Sequence, residues 1–600
     1  MTEEGQWIPP LRAGRKPAGL ALLGWLADTR APRLCRVSGA PGSGKSHLLD
    51  WLVAAGTSDR TPADRRIQVV VPAAGYSVRS LVWSIGSQLG VVAGTVPELL
   101  TALAEDGRPT VVCLPGLNRA ADPARVVSGL LNPLLELPQL RLLAEAPTGS
   151  PEAAALARSA VPEPAVLDLD DPQWTDRARF GRWCLKEDAD PAHYPNPGAA
   201  LRRSPEPEQP GLAELAARIP ANPDGSPDLL AAGPELLSEF WTAAAREGHA
   251  GRLQADPLLL ALAGPVAVTA ALEDEDGPIV RAWHAAGPAL IGPTSPADRA
   301  ATLRTRLLGA DEAAAARLAT VPASWAGEWA LWQPAGDAWP GPVTALAVGH
   351  GPYAGQLLVA DPAGEIRTLE AATGRPRGRL VVNGPRPLRA LAATAGGTVV
   401  LLDARGGTEL LPPAQPASGL DPYALDGALG LLRNTAGAEL SALAAAPCLP
   451  GAPPAVGDVR GAVHWAEGGA VLSERLHDGP VTALGAAAAF GGPGPAAQGF
   501  PLLVSGGFDG AVRLWGPGTA PMAEAVDRRD CPVTAVAVVV GPAGPVVAAA
   551  WADGHVRVRR LSDPDGARNL RLGSAVWSLA LAGDLLVLGM PDGVAAVRPL

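Results

Sequence analysis

Lysine is almost missing from this chain of 600 residues: Lys16, Lys45 and Lys186 are the only three, and arginine carries nearly all the other positive charge. That bias is the mark of a GC-rich genome. Charged residues are sparse at 18 %, the net charge is -11, and no basic patch stands out, which argues against general affinity for nucleic acid or an anionic membrane. The five cysteines, Cys35, Cys113, Cys184, Cys448 and Cys531, stand singly with no CxxC pair, so neither a zinc site nor a disulfide framework is suggested. Long hydrophobic runs are missing too. VVSGLLNPLLELPQL is cut by proline and charge well short of a membrane span, and MTEEGQWIPP lacks the basic-then-apolar pattern of a secretory signal. A reducing, cytoplasmic location is expected, with neither nucleic acid nor membrane as a partner.

The chain is too long for one hydrophobic core, and about three or four units are expected from its length. One of the three lysines lies in Gly39-Ala40-Pro41-Gly42-Ser43-Gly44-Lys45-Ser46, which fits G-x-x-x-x-G-K-[ST]. Glycines let successive backbone N–H groups turn inward around phosphate oxygens, and a lysine supplies a compact ammonium that arginine cannot imitate. Lys45 is expected to neutralise β- and γ-phosphate charge and Ser46 to offer its hydroxyl oxygen to Mg²⁺. The helix HLLDWLVAAG, beginning at His47, would face the phosphates with its N-terminus. A chance turn in a glycine-rich protein is the alternative, but it does not account for strand, loop and helix following in the required order. The cofactor-binding candidates are therefore residues Gly39 to His47, with ATP or GTP and Mg²⁺ as ligands.

The catalytic half of such a site looks stripped. In RPTVVCLPGLNRAADP the carboxylate that should follow the apolar strand falls on Pro115 or Gly116, and the usual downstream acid on Asn118 or Arg119. Asp122, just before Pro123, reads as a helix start. QLRLLAEAPTGS offers Glu145 as its only acid. Asp168, Asp170 and Asp171 sit at a strand end and turn, where aspartate commonly caps backbone N–H groups. The octapeptide is thus expected to bind with little or no hydrolysis, and no residue is assigned as catalytic. An active ATPase with an unconventional acid, or a propeller scaffold with a vestigial site, are the alternatives.

From Asp188 to about Asn222 the composition is that of a linker, expected to be mobile. PELLSEFWTAAAREG and the segments after it show helical periodicity, with Ser295-Pro296-Ala297-Asp298 as a helix start. Then GPVTALAV at 341, RPLRALAA at 386, AELSALAA at 438, GPVTALGA at 479, CPVTAVAV at 531 and SAVWSLAL at 574 recur every 41 to 52 residues, the period of propeller blades. Asp509, Asp553 and Asp592 take the tight-turn position after the second strand. The last repeat stops after its third strand, and the stretch Glu328 to Trp332 is expected to supply the fourth. That makes six blades. YALDGALGLLRNTAG interrupts what would be the third and leaves a seventh open.

SGGFDGAVRLW resembles the heart of WD repeats, and the whole resembles a bacterial STAND-type P-loop NTPase of the kind abundant in actinomycetes, fused to a WD-repeat propeller. The resemblance implies a multidomain architecture: a leading segment 1–30, an α/β P-loop domain 31–185 with a degenerate second motif, a Pro-rich linker 186–222, an all-α, winged-helix-like domain 223–322 and an all-β propeller 323–600. It further implies a nucleotide-dependent scaffold or regulator whose propeller binds protein partners, with homo-oligomerisation compatible. Gly14-Arg15-Lys16 resembles the leading segment that borders adenine in that family, although a solvated arginine is the favoured reading of Arg15.

Overall fold

The structure is a computed structural model that describes residues 11–40, 43–56, 61, 66–159, 163–186, 209–333, 341–382, 384, 386–413, 422–436, 439–447, 452–490 and 499–599. It divides into two compact units, 1–276 and 277–600. The division falls inside the helical stretch 223–322.

In the first unit, short apolar runs form a five-stranded sheet: β1 (Leu34–Ser38), β2 (Val69–Val70), β3 (Thr110–Leu114), β4 (Leu140–Glu145) and β5 (Ala165–Asp168). The order is β2-β3-β4-β1-β5 and every pairing is parallel. Covered on both faces, such strands carry near-continuous apolar sequence, as TVVCL in β3 does with all five residues buried. Parallel alignment has a consequence for function: Ser38, Leu114, Glu145 and Asp168, which end four different strands, gather along one edge of the sheet. Two helices frame that edge, α1 (Lys16–Ala27) and α2 (Lys45–Gly56), whose Leu22, Trp25, Leu48 and Leu52 share a core with Cys35 and Val37 of β1.

Residues 187–208 of the expected linker lie outside the described residues. The stretch just after them is ordered, with a helix Leu212–Arg218 that buries Leu215 against Phe240 and Ala243 of the helix Pro234–Arg246. The described residues between 223 and 322 hold helices and no strand, so no wing is present. Proline at the first turn of Pro234–Arg246, Pro257–Leu262 and Pro265–Ala271, followed by Ala/Leu-rich sequence, favours helices throughout.

The second unit begins with the helices Pro278–Leu290, Pro296–Leu307 and Glu312–Leu318, and Ser295 caps the second by accepting from the Asp298 amide. Six antiparallel sheets follow, the blades of a β-propeller. The last blade is completed by β6 (Trp325–Trp332), which pairs antiparallel with Gly593–Pro599. The strand supplied before the first repeat therefore closes the ring, at six blades. The helix Pro422–Ala436, formed by PYALDGALGLLRNTA, lies between the second and third blades: it follows the three strands of the second, and its Leu429 and Leu432 share a core with Val400 of the second and Val456 of the third. Its Leu and Ala spacing suits a helix better than a strand.

Arg306 fastens the helices to the ring. Buried at 4 % exposure, it donates to Leu572 O, Ser574 Oγ and the Asp592 carboxylate and lies 4.2 Å over the Trp332 ring. The turn aspartate of the last blade thus serves an inter-element ion pair.

In the fourth blade, His477 bonds Asp509 through Nδ1 at 3.0 Å and Ser505 through Nε2 at 2.8 Å. Burial holds the imidazole below its ordinary pKa against the opposing pull of Asp509. For Asp509 burial opposes ionisation, yet the bonds from His477 and the Ala511 amide hold it below the usual carboxylate range. The unfolded chain therefore takes up a proton at His477 first as pH falls below about 6.5, and stability drops there; the Asp509 contribution is lost only below about pH 4. Thermal melting of the propeller should show two acid limbs, and His477→Gln should shrink the upper one, to which His350, its imidazole also held below its ordinary pKa by burial, contributes as well. An unchanged pH profile in that variant would contradict the assignment.

Candidate phosphate-binding site

The loop after β1 carries the octapeptide. Pro41 and Gly42 lie outside the described residues; Gly39, Ala40, Ser43, Gly44, Lys45, Ser46 and His47 lie between the end of β1 and the first turn of α2. Two glycines make the path available: Gly39 at φ 138° and Gly44 at φ 89° hold conformations that side chains disfavour. A Cβ on Gly39 would come within 2.6 Å of Ser43 Oγ, so the loop folds back on itself where only glycine fits. The amides of Lys45, Ser46 and His47 form the first turn of α2 and, by helix geometry, have no intrahelical acceptor. They present the positive end of the helix dipole.

Lys45 reaches back across the loop and donates to Gly39 O at 2.8 Å and Ala40 O at 2.9 Å. Burial pulls its ammonium below the ordinary lysine pKa, opposed by Glu145, Asp170 and Asp168 and reinforced by Arg15. Ser43 Oγ is buried without a hydrogen-bond partner among the described residues. A buried hydroxyl left over beside a lysine and a helix N-terminus is what an anionic ligand would satisfy.

Arg15 is buried at 2 % exposure, contrary to the solvated reading. It donates to Ser43 O at 2.6 Å, Leu169 O at 3.0 Å and Thr175 Oγ1 at 2.8 Å, so it ties the phosphate loop to the segment after β5. Burial lowers its pKa to about 10, with Asp170 opposing. Its partners come from residues far along the chain, which sequence spacing could not reveal.

The aspartates divide in role. Asp122 caps the helix Pro123–Val126 through the Arg125 amide, and Asp171 caps the turn at Gln173. Asp168 accepts from the Asp170 amide and from Thr148. Asp170 does more than cap a turn, because it accepts from the Ala40 amide at 2.8 Å and tethers the phosphate loop from the other side. At the end of β3, Gly116 adopts φ 68° and begins a short turn whose Arg119 guanidinium lies over it; no carboxylate stands at Pro115, Gly116, Asn118 or Arg119. The acid that reaches Ser46 comes from β4. Glu145, buried at 5 % exposure, places both carboxylate oxygens 3.3 Å from Ser46 Oγ and accepts from the Gly116 amide at 3.0 Å.

A second constellation escaped the sequence. In the third blade Ser473, His464 and Asp458 form a hydrogen-bonded line, 2.7 Å from Ser473 Oγ to Nδ1 and 3.1 Å from Nε2 to Asp458. His464 and Ser473 are cross-strand neighbours, and Asp458 also accepts from the amides of Arg460 and Ala462, so the line ties a turn to two strands. Among the described residues no group of three His, Cys, Asp or Glu could hold a metal ion, and no helix is long and apolar enough to cross a membrane.

No protein-family model matches the chain, and no curated protein is similar to it. Among solved structures, similarity extends to the computationally designed Ika8 protein, at 19 % identity over 43 % of this chain and 71 % of that one, with a TM-score of 0.26. U3-55K matches at 15 % identity over 44 % of this chain and 97 % of its own, with a TM-score of 0.27. The WD40 repeats of RRP9 match at 15 % identity, covering 45 % and 99 % of the two chains, again at 0.27.

Proposed function

We propose that this chain is a cytoplasmic nucleotide-binding scaffold or regulator of STAND type, in which the loop Gly39 to His47 takes ATP or GTP with Mg²⁺ and the propeller is a platform for protein partners. The carrying observation is the cradle itself. Glycine-only conformations, the Lys45 ammonium, the first turn of α2 and the leftover Ser43 hydroxyl converge at the carboxyl edge of a parallel sheet, where ligands of open α/β sheets bind. Arg15 and Asp170 brace the loop from two directions, so little ordering remains to oppose binding. Ser46 is the loop residue that would hold Mg²⁺ through its hydroxyl oxygen, and the ion would supply charge neutralisation for the phosphates.

Purified full-length protein should bind a fluorescent nucleoside triphosphate saturably, with displacement by ATP or GTP but not by the free nucleoside. Displacement by nucleoside alone, or no saturable binding, would overturn the reading.

A further inference from the structure

We propose that Glu145 is the carboxylate that holds the divalent cation of the bound nucleotide together with Ser46, taking over from β4 the role that β3 leaves without an acid. This rests on the nucleotide-binding reading of the loop. The parallel pairing of β4 with both β1 and β3 brings the end of β4 beside the phosphate loop and beside Gly116 at once. Glu145 therefore sits next to the place where the missing acid would stand. Its two oxygens lie equidistant from Ser46 Oγ, and its one backbone donor, the Gly116 amide, fixes the carboxylate plane. Ser46 is exposed on the first turn of α2 while Glu145 is buried at the end of β4.

The chemistry matches. A serine hydroxyl and a carboxylate are hard oxygen donors, and Mg²⁺ is commonly held by one or two carboxylates plus substrate phosphates. Lys45 contributes a favourable charge to Glu145 without a hydrogen bond to it, its ammonium donating to Gly39 O and Ala40 O. A buried carboxylate that serves only to cap one amide would be an expensive device, since a neutral glutamine would do the same at less desolvation cost.

That last comparison supplies the test. Affinity of the full-length protein for ATP is measured by calorimetry with excess Mg²⁺ and with chelator, for wild type, Glu145→Gln and Ser46→Ala. Wild type should bind at least tenfold more tightly with Mg²⁺. Glu145→Gln keeps the acceptor for the Gly116 amide, so its metal-free affinity should stay within about twofold of wild type while most of the Mg²⁺ gain disappears; Ser46→Ala should lose the same gain. If Glu145→Gln fails to melt cooperatively, Glu145→Asp, which withdraws the carboxylate by one methylene, takes its place with the same expectation. A full Mg²⁺ gain in a folded Glu145 variant overturns the proposal, as does ATP binding by wild type that is indifferent to Mg²⁺. Failure of wild type to bind ATP under either condition would instead overturn the nucleotide-binding reading.

Discussion

Even with saturating ATP and Mg²⁺, turnover should be at least about a thousandfold slower than an ordinary ATPase rate of about one per second. Hydrolysis needs a group that orients and deprotonates water beside the terminal phosphate, and that contribution to the barrier amounts to several kcal/mol. Pro115, Gly116, Asn118 and Arg119 provide none. Asp122 is engaged as a helix cap, and Glu145 is engaged with Ser46 and the Gly116 amide. Asp170, the other acid at the loop, is engaged with the Ala40 amide, so metal holding and water activation are not both served. Phosphate release by wild type at about one per second or faster, abolished by Lys45→Ala, would contradict this and would make Glu145 and Asp122 the first residues to test as the unconventional acid.

A fragment beginning at Gly277 should fold as a closed propeller with a single cooperative melt, whereas one beginning at Gly341 should associate or melt without cooperativity. The shorter fragment loses β6, the outer strand of the last blade, which pairs with Gly593–Pro599 from Trp325 to Trp332 and buries Trp325 and Trp329. An edge is left open for pairing with other chains. It also loses the helix that bonds Arg571 O through Thr302 and the buried Arg306 with its three acceptors, each bond contributing about 0.5–1.5 kcal/mol and those of the charged guanidinium more. A start near Glu328 would cut β6 in mid-strand, so Gly277 is the better boundary. Identical sedimentation and melting of the two fragments would refute the closure.

What sequence could and could not disclose follows from the range of each interaction. The phosphate loop is local: strand, glycines, lysine and helix are contiguous, and β1 and α2 lie where GAPGSGKS requires. The blades repeat, so six inner strands could be aligned by eye and the closing strand before 341 inferred by counting. The buried Arg15 was not legible, because its acceptors Leu169 and Thr175 lie more than 150 positions away. Nor was the approach of Glu145 to Ser46, which depends on β4 lying between β3 and β1, a matter of sheet order that no spacing encodes. The helix between the second and third blades was hidden for another reason. Its sequence breaks the repeat pattern, which left a seventh blade open, whereas its alanine and leucine content favours the helix that forms there.

The most direct measurement is a calorimetric titration of full-length protein with Mg·ATP, wild type beside Lys45→Ala. Removing a partly buried ammonium that faces phosphate costs about 1.5–3 kcal/mol or more, so wild type should show saturable one-to-one binding and the variant an affinity reduced on the order of a hundredfold, with the propeller melt unchanged. Equal affinity in the two proteins, or no saturable binding by wild type, would contradict the claim that this loop holds a nucleotide.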